Sequence, residues 1–241
     1  VGPLFLIDVM SDVTDIDPVD SPSLSDRIAL ERIRVFFGHA AGNMLSLVVG
    51  GILIGAVLRS AGVADLVLGA WFGALLVGVV AVSSYEAWMH GRPAQSVQAA
   101  RRMLRTRIVL GALVASVYGV AVFLLPAGST HVEDAFLFLI LSTVVTLAAL
   151  GYAVVPAYYF VLGLCTVLPF SLHCLYDYVW RGDDFYLLLG VMALAWQVVV
   201  SLKARRMSAT ALEAIELNER LKDAVEEQRR TKEYMSHMAM H

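Results

Sequence analysis

IVLGALVASVYGVAVFLL, residues 108–125, carries no charged side chain over 18 positions. A helix rises about 1.5 Å per residue, so this run nearly crosses a hydrocarbon layer about 30 Å thick. Arg101, Arg102, Arg105 and Arg107 precede it and Pro126 follows it. Working outward, comparable apolar runs occupy roughly 35–58, 63–82, 135–150, 154–172 and 185–202. Gly151 and Pro156 break the fourth run from the fifth, which reads as a tight hairpin. The composition agrees: 59% hydrophobic residues, 16% charged and a mean hydropathy of +0.71. Soluble domains carry about a quarter charged residues. The expected fold is an all-α membrane protein, a six-helix transmembrane bundle continuing into a cytoplasmic coiled-coil helix.

Positive residues collect on alternate loops, as the positive-inside rule requires. Arg27, Arg32 and Arg34 precede the first run, and Arg92 joins the four arginines before the third. Lys203, Arg205 and Arg206 follow the sixth. The intervening loops instead hold Glu133, Asp134, Asp177, Asp183 and Asp184, with Tyr178 and Trp180 as interfacial aromatics. Both termini and the 85–107 segment are therefore expected in the cytoplasm, and the protein in a bacterial inner membrane. A net charge of −3 argues against nucleic acid as a partner. Cys165 and Cys174 lie too far apart along one helix to bridge, and imply no disulfide framework.

Residues 1–26 contain six aspartates and three prolines and read as a flexible acidic tail, with Met10 as the natural start. Ser23 to Asp26 offers a helix N-cap. In the lead-in, 27–34, Arg27, Glu31 and Arg34 share one helix face and Leu30, Ile33 and Phe37 another, an amphipathic pattern suited to a membrane surface. Residues 35–202 form the membrane domain.

Residues 203–241 exchange continuous hydrophobicity for spaced apolar positions among dense charges, without proline or glycine. Two heptad seams can be read in this connector. One uses Ala211, Ala214, Asn218, Leu221, Val225, Gln228 and Met235. The other uses Ala214, Leu217, Leu221, Ala224, Gln228, Thr231, Met235 and Met238. Asn218 in the first seam would select a parallel register. A parallel homodimer is expected, with Leu221 on the seam and Glu219 exposed beside it. The bland alternative is a weak coiled coil that does not switch.

The run Tyr234-Met235-Ser236-His237-Met238-Ala239-Met240-His241 resembles the lead-in to the GGDEF domain of diguanylate cyclases, where a hydrophobic-Ala-x-His stretch precedes an Asp and Leu-Thr-Gly-Leu. The sequence stops at His241, without that Asp or the Leu-Thr-Gly-Leu. Met235-Ser236-His237 also resembles the Met-Ser-His of histidine-kinase phosphoacceptor boxes, although Met238 stands where that box has an acid. The membrane part resembles the MASE-type input regions that precede such enzymes. The resemblance implies a sensory module feeding a cytoplasmic output domain, first a diguanylate cyclase making cyclic di-GMP and second a histidine kinase.

No phosphate loop, Cys-x-x-Cys or His-Glu-x-x-His occurs, so no catalytic residue or cofactor is expected. Candidate ligand-binding residues are His39, Asn43 and Ser46 on one stripe of the first span, and Tyr158, Tyr159 and His173 on the fifth. The bland reading of the stripe is helix packing over the neighbouring row Gly38, Gly42, Ser46 and Gly50. Glu86 is expected to pair with an arginine of the following segment. His173, Cys174 and Asp177 with His131 and Glu133 would be the only metal-ligand set, but adjacent His-Cys lacks zinc spacing, and no metal is expected. His39 and His173 lie at opposite faces, against haem ligation. A hydrophobic small molecule, such as a lipid, fatty acid or quinone, would suit the lining. A small transporter or a passive dimerising anchor are readings of another class. Under the expected topology, a maleimide that cannot cross the membrane labels Val132→Cys from outside and leaves Gln95→Cys unlabelled; the reverse pattern contradicts it.

Overall fold

In a computed structural model the described residues are 23–38, 40–90, 96–126, 129–152 and 154–239, with 40–44, 90, 234 and 236–239 described by their backbone alone. They form seven α-helices and no strand: α1 (Leu24–Gly38), α2 (Ala40–Ser60), α3 (Asp65–His90), α4 (Val97–Val120), α5 (His131–Gly151), α6 (Pro156–Arg181) and α7 (Asp184–Ala239). Five of them, α3 to α7, are long and apolar enough to cross a bilayer, whereas the apolar part of α2, Leu45–Ser60, is shorter. The expected first run, 35–58, is divided between the end of α1 and α2, and His39 between them lies outside the described residues. Most of the acidic tail, 1–22, also lies outside them.

Helices form here because a backbone in hydrocarbon must satisfy its own polar groups. The side chains then sort by face. Ile54, Leu58, Leu137, Ala193 and Phe170 are sealed in the interior, while Val77, Leu113, Leu139, Val179 and Leu188 stand exposed around the girth. In water such a surface would aggregate, whereas in lipid it is the solvated face.

Boundaries follow local chemistry more than hydropathy. Residues 85–90 and 97–107, expected in a loop, extend α3 and begin α4. Ser96 caps α4, its Oγ accepting from Ala99 N at 3.2 Å. Near its far end α4 tightens into a 3-10 turn, Ala121–Leu124, and Pro126, which pushes the preceding residue to extended backbone, ends it. Thr130 and Glu133 form a reciprocal capping box that starts α5 at His131, so Glu133 and Asp134 sit in a first helical turn. Residues 152–155 separate α5 from α6 and Pro156 occupies the first turn of α6, the break expected between two spans.

α6 continues unbroken through Pro169. A proline cannot bond the carbonyl four residues back, here Cys165 O. Gly119 of α4 meets that carbonyl: a Cβ there would approach Cys165 O to 2.2 Å and Pro169 Cγ to 3.0 Å. The small residue thus lets α4 close on the proline-modified turn.

α7 runs for 56 residues without a break, about 84 Å at the usual rise. Its first half packs on α6 and α5. Beyond the bundle α1 lies along it, and Arg27 donates two hydrogen bonds of 2.6 Å to Asp223. Ile215 and Glu219 are buried on this side, which corrects the expectation that Glu219 is exposed. Its carboxylate accepts from Lys222 at 2.5 Å and lies 3.9 Å from Arg27.

Gly119→Ala should lower stability in detergent by about 1–3 kcal/mol, since α4 or α6 must move to admit the methyl. Gly73→Ala, with nothing within 4 Å of the added carbon, should not destabilise. Thermal unfolding of the two variants checks the contrast.

Candidate functional site

Arg107 is the largest sealed side chain of the bundle, 1% exposed. It projects from the buried face of α4, on which Ala100, Arg107, Gly111, Val114 and Tyr118 recur. Its Nε donates to Glu86 Oε1 of α3 at 2.6 Å. One terminal nitrogen donates to the Tyr158 hydroxyl of α6, the other to the Tyr152 hydroxyl at 2.8 Å. The guanidinium carbon also lies 4.9 Å and 5.3 Å from the ring centroids of Tyr158 and Tyr152. The cation therefore has a counter-ion, two hydroxyl acceptors and two aromatic partners. A buried charge needs all of this to offset its desolvation.

Phe36 of α1 closes the network from below. Its ring centroid lies 4.9 Å from that of Tyr152 and 5.2 Å from that of Tyr158. Arg32 of the same helix donates to Val154 O at 2.8 Å. Above the network a cavity of about 30 Å³ is lined by Ser46, Arg107, Gly111, Tyr118, Tyr158 and Thr166 among others. It has room for a water or two, and none for an acyl chain. Glu86 Oε2 is buried and lacks a hydrogen-bond partner, so a donor such as water is needed beside it.

The structure brings two of the expected ligand residues, Ser46 and Tyr158, to this one cavity. Tyr159 faces the other way and donates to Ser201 O of α7 at 2.7 Å. His173 sits in a separate cluster, 3.8 Å from Asp177. His39 and the side chain of Asn43 lie outside the described residues. Among the described residues no three of His, Cys, Asp and Glu form a group able to hold a metal. A larger apolar groove of about 580 Å³ opens between α3 and α4, lined by Leu66, Trp71, Leu113 and Val117 among others.

The pairing of Glu86 with an arginine from the following segment is present, but Arg107 is a sealed interior residue, not a loop charge. Tyr152, expected only in a turn, is part of the site. Helical phase was the available clue: spacings of seven and four put Arg107 on the stripe of Ala100 and Gly111, away from Arg101 and Arg105.

The seam residues of the connector lie on the side of α7 turned from α1. Ala214, Leu217, Asn218, Leu221, Val225, Gln228 and Met235 are all exposed, Leu217 by 71% and Leu221 by 61%. Ala211, which belongs only to the first seam, is half-buried.

No protein-family model, curated protein or solved structure matches the chain.

Arg107→Met alone, or Glu86→Leu alone, should cost about 3–5 kcal/mol by stranding a buried charge. The double variant should recover most of that loss in chemical unfolding. A double loss equal to the sum of the two would mean that the pair is not the unit.

Proposed function

We propose that the chain is the membrane input module of a bacterial signalling protein. In this reading six spans, α2 included, seat it in the inner membrane with both termini in the cytoplasm. It works as a parallel homodimer and passes its state along α7 to a cytoplasmic output domain, a diguanylate cyclase making cyclic di-GMP. The sixth span rests on the arginine asymmetry, and the cyclase on the resemblance of residues 234–241.

One observation carries the reading: α1 touches both the intramembrane network and the connector. Phe36 packs against the rings of the tyrosines that hold Arg107, and nine residues earlier Arg27 grips Asp223 of α7. A change that repacks Tyr152 or Tyr158 must move Phe36, and α1 is too short and regular to absorb that without moving Arg27. A transporter or channel has no evident use for such a strap.

The strap also bears on the two seams. It occupies the side of α7 carrying Ile215 and Glu219, and its shoulder reaches Ala211. The second seam, through Leu217 and Ala224, is then fully open to a partner, and the first becomes accessible on a modest rotation away from α1. A gap of a few kcal/mol between these registers lies within reach of a ligand's differential affinity.

In the full-length protein in its membrane, Leu221→Cys should crosslink to its twin many times faster than Glu226→Cys, which is exposed on the opposite side of the helix. Arg27→Asp should change the Leu217→Cys to Asn218→Cys crosslinking ratio and the cyclic di-GMP output together, and adding Asp223→Arg should restore both. Equal crosslinking at 221 and 226 would remove the homodimer, and an Arg27→Asp variant with unaltered ratio and output would remove the strap.

A further inference from the structure

At the other end of the bundle from Arg107 a second polar cluster is sealed between α5, α6 and α7. Asp134 of α5 is 1% exposed and Asp177 of α6 is 4% exposed. Their cations are unequally shared. Asp177 Oδ2 has Arg181 at 3.3 Å and His173 at 3.8 Å. Asp134 has only neutral donors, the Tyr186 hydroxyl of α7 at 3.2 Å and Ser129 Oγ at 3.5 Å, both on Oδ2. Its Oδ1 is buried without a hydrogen-bond partner. Cys174 is buried nearby on α6, and the Phe123 ring stands edge-on to His173 at 5.9 Å. On the rim His131 pairs with Asp183 at 3.1 Å, and Glu133 is tied to the backbone of Thr130.

Two buried carboxylates face one guanidinium, that of the partly exposed Arg181, with the His173 imidazole beside Asp177. Both carboxylates keep a buried oxygen without a hydrogen bond, Asp134 Oδ1 and Asp177 Oδ2, but Asp177 has cations within 4 Å and Asp134 has none. An uncompensated carboxylate cut off from water is costly, and a proton is the cation that fits without further ligands. We propose that Asp134 is a proton-binding site, loaded from the side of the membrane on which His131 and Asp183 lie, and that its occupancy sets the hold on α7.

The linkage runs through Tyr186, in the first turn of α7. Arg181 donates to the Tyr186 hydroxyl at 2.7 Å, which directs that hydroxyl's own proton to Asp134. The bond to an ionised acceptor is charge-assisted. When a proton from solvent adds to a carboxylate oxygen of Asp134, the acceptor becomes neutral and the bond weakens. The turn is also tied at the rim, where Asp183 accepts from Phe185 N at 3.0 Å as helix cap and from Tyr186 N at its carbonyl at 3.1 Å, and pairs with His131. Acidification therefore loosens the start of the helix that leaves the bundle at its opposite end. This names the stimulus for the input module proposed above, and its use as a signal rests on that reading.

The test uses the whole chain in liposomes, taken from about pH 8 to about pH 5, the range in which a physiological proton switch operates. Infrared difference spectra should show a protonated carboxylic-acid band growing with acid, absent from Asp134→Asn and kept in Tyr186→Phe. The protection of amides 184–188 against exchange, after correction for the slower intrinsic exchange in acid, should fall roughly tenfold as the band grows, as expected for loss of one charge-assisted bond, and this response should vanish in Tyr186→Phe. No titrating band, or one that survives Asp134→Asn, overturns the proposal, as does its suppression by sodium at constant pH, which would make the site a cation site. An exchange response kept in Tyr186→Phe overturns the linkage. These readouts need neither dimer nor output domain. If they hold while Leu221→Cys crosslinking ignores pH, the signalling reading fails and the proton site stands.

Discussion

A guanidinium has five donors and a charge that it does not give up, and a lipid-embedded bundle offers it almost nothing. The end of the bundle around Arg107 is organised by that constraint. Glu86 must come from α3, Tyr158 from α6 and Tyr152 from the turn after α5, so four segments are pinned to one point. Gly111, one turn further along α4, gives the Tyr158 ring its space: a Cβ there would come within 2.6 Å of it. Apolar packing tolerates small slips between helices, whereas a network of directed bonds does not. The ion pair therefore contributes register more than stability, and hydrophobic residues of the same shape would hold the helices as firmly but less specifically.

The same constraint explains why α1 belongs to the bundle at all. It is amphipathic rather than apolar, with Arg27, Glu31 and Arg34 on its polar face. What anchors it is Phe36, inserted among the tyrosine rings, and Arg32, bonded to the backbone of the α5–α6 turn. Turn carbonyls near the membrane surface need donors, and an arginine from a surface helix supplies one. A helix pinned in this way at its C-terminal end projects its N-terminal end onto α7, where Arg27 meets Glu219 and Asp223.

Much of the helix plan was legible, because apolar length and turn residues are local properties. The break between α5 and α6 was written in Gly151 and Pro156, and the unbroken α7 in the absence of either residue type after Gly190. Helix ends were less legible, because α3 and α4 run past the hydrocarbon into charged sequence where hydropathy is blind, although Thr130 and Glu133 did carry a capping signature. The site was half legible. Glu86 announced a need for a cation, but which arginine answers it depends on three-dimensional phase, and Arg107 looked like one more member of a basic cluster. Tyr152, Asp134 and Tyr186 lay beyond reach, since each acquires its role from a partner at least 45 positions away. Glu219 misled for the same reason: its burial comes from α1, a helix nearly two hundred residues earlier.

Two polar contacts hold the same helix near its ends. Tyr186 is bonded to Asp134 where α7 enters the bundle, and Asp223 is bonded to Arg27 after α7 has left it. They are 37 residues apart, about 55 Å along a rod whose backbone bonds are all internal. Between them the contacts of α7 are chiefly apolar, from Leu189 through Ala193 to Val200 and Ala204, with one directed bond, from the Tyr159 hydroxyl to Ser201 O. Such contacts oppose separation from the bundle, yet small residues such as Ala193 and Ala204 leave little to interlock against sliding or rotation. Orientation about the axis is then governed largely by these directed contacts, in which geometry matters most. A helix held in this way need not unfold or bend to carry information. In the signalling proposed for this chain, a weaker grip at one end would leave the preferred rotation to the remaining contacts, and the exposed stripe from Leu217 to Met235 would turn with it.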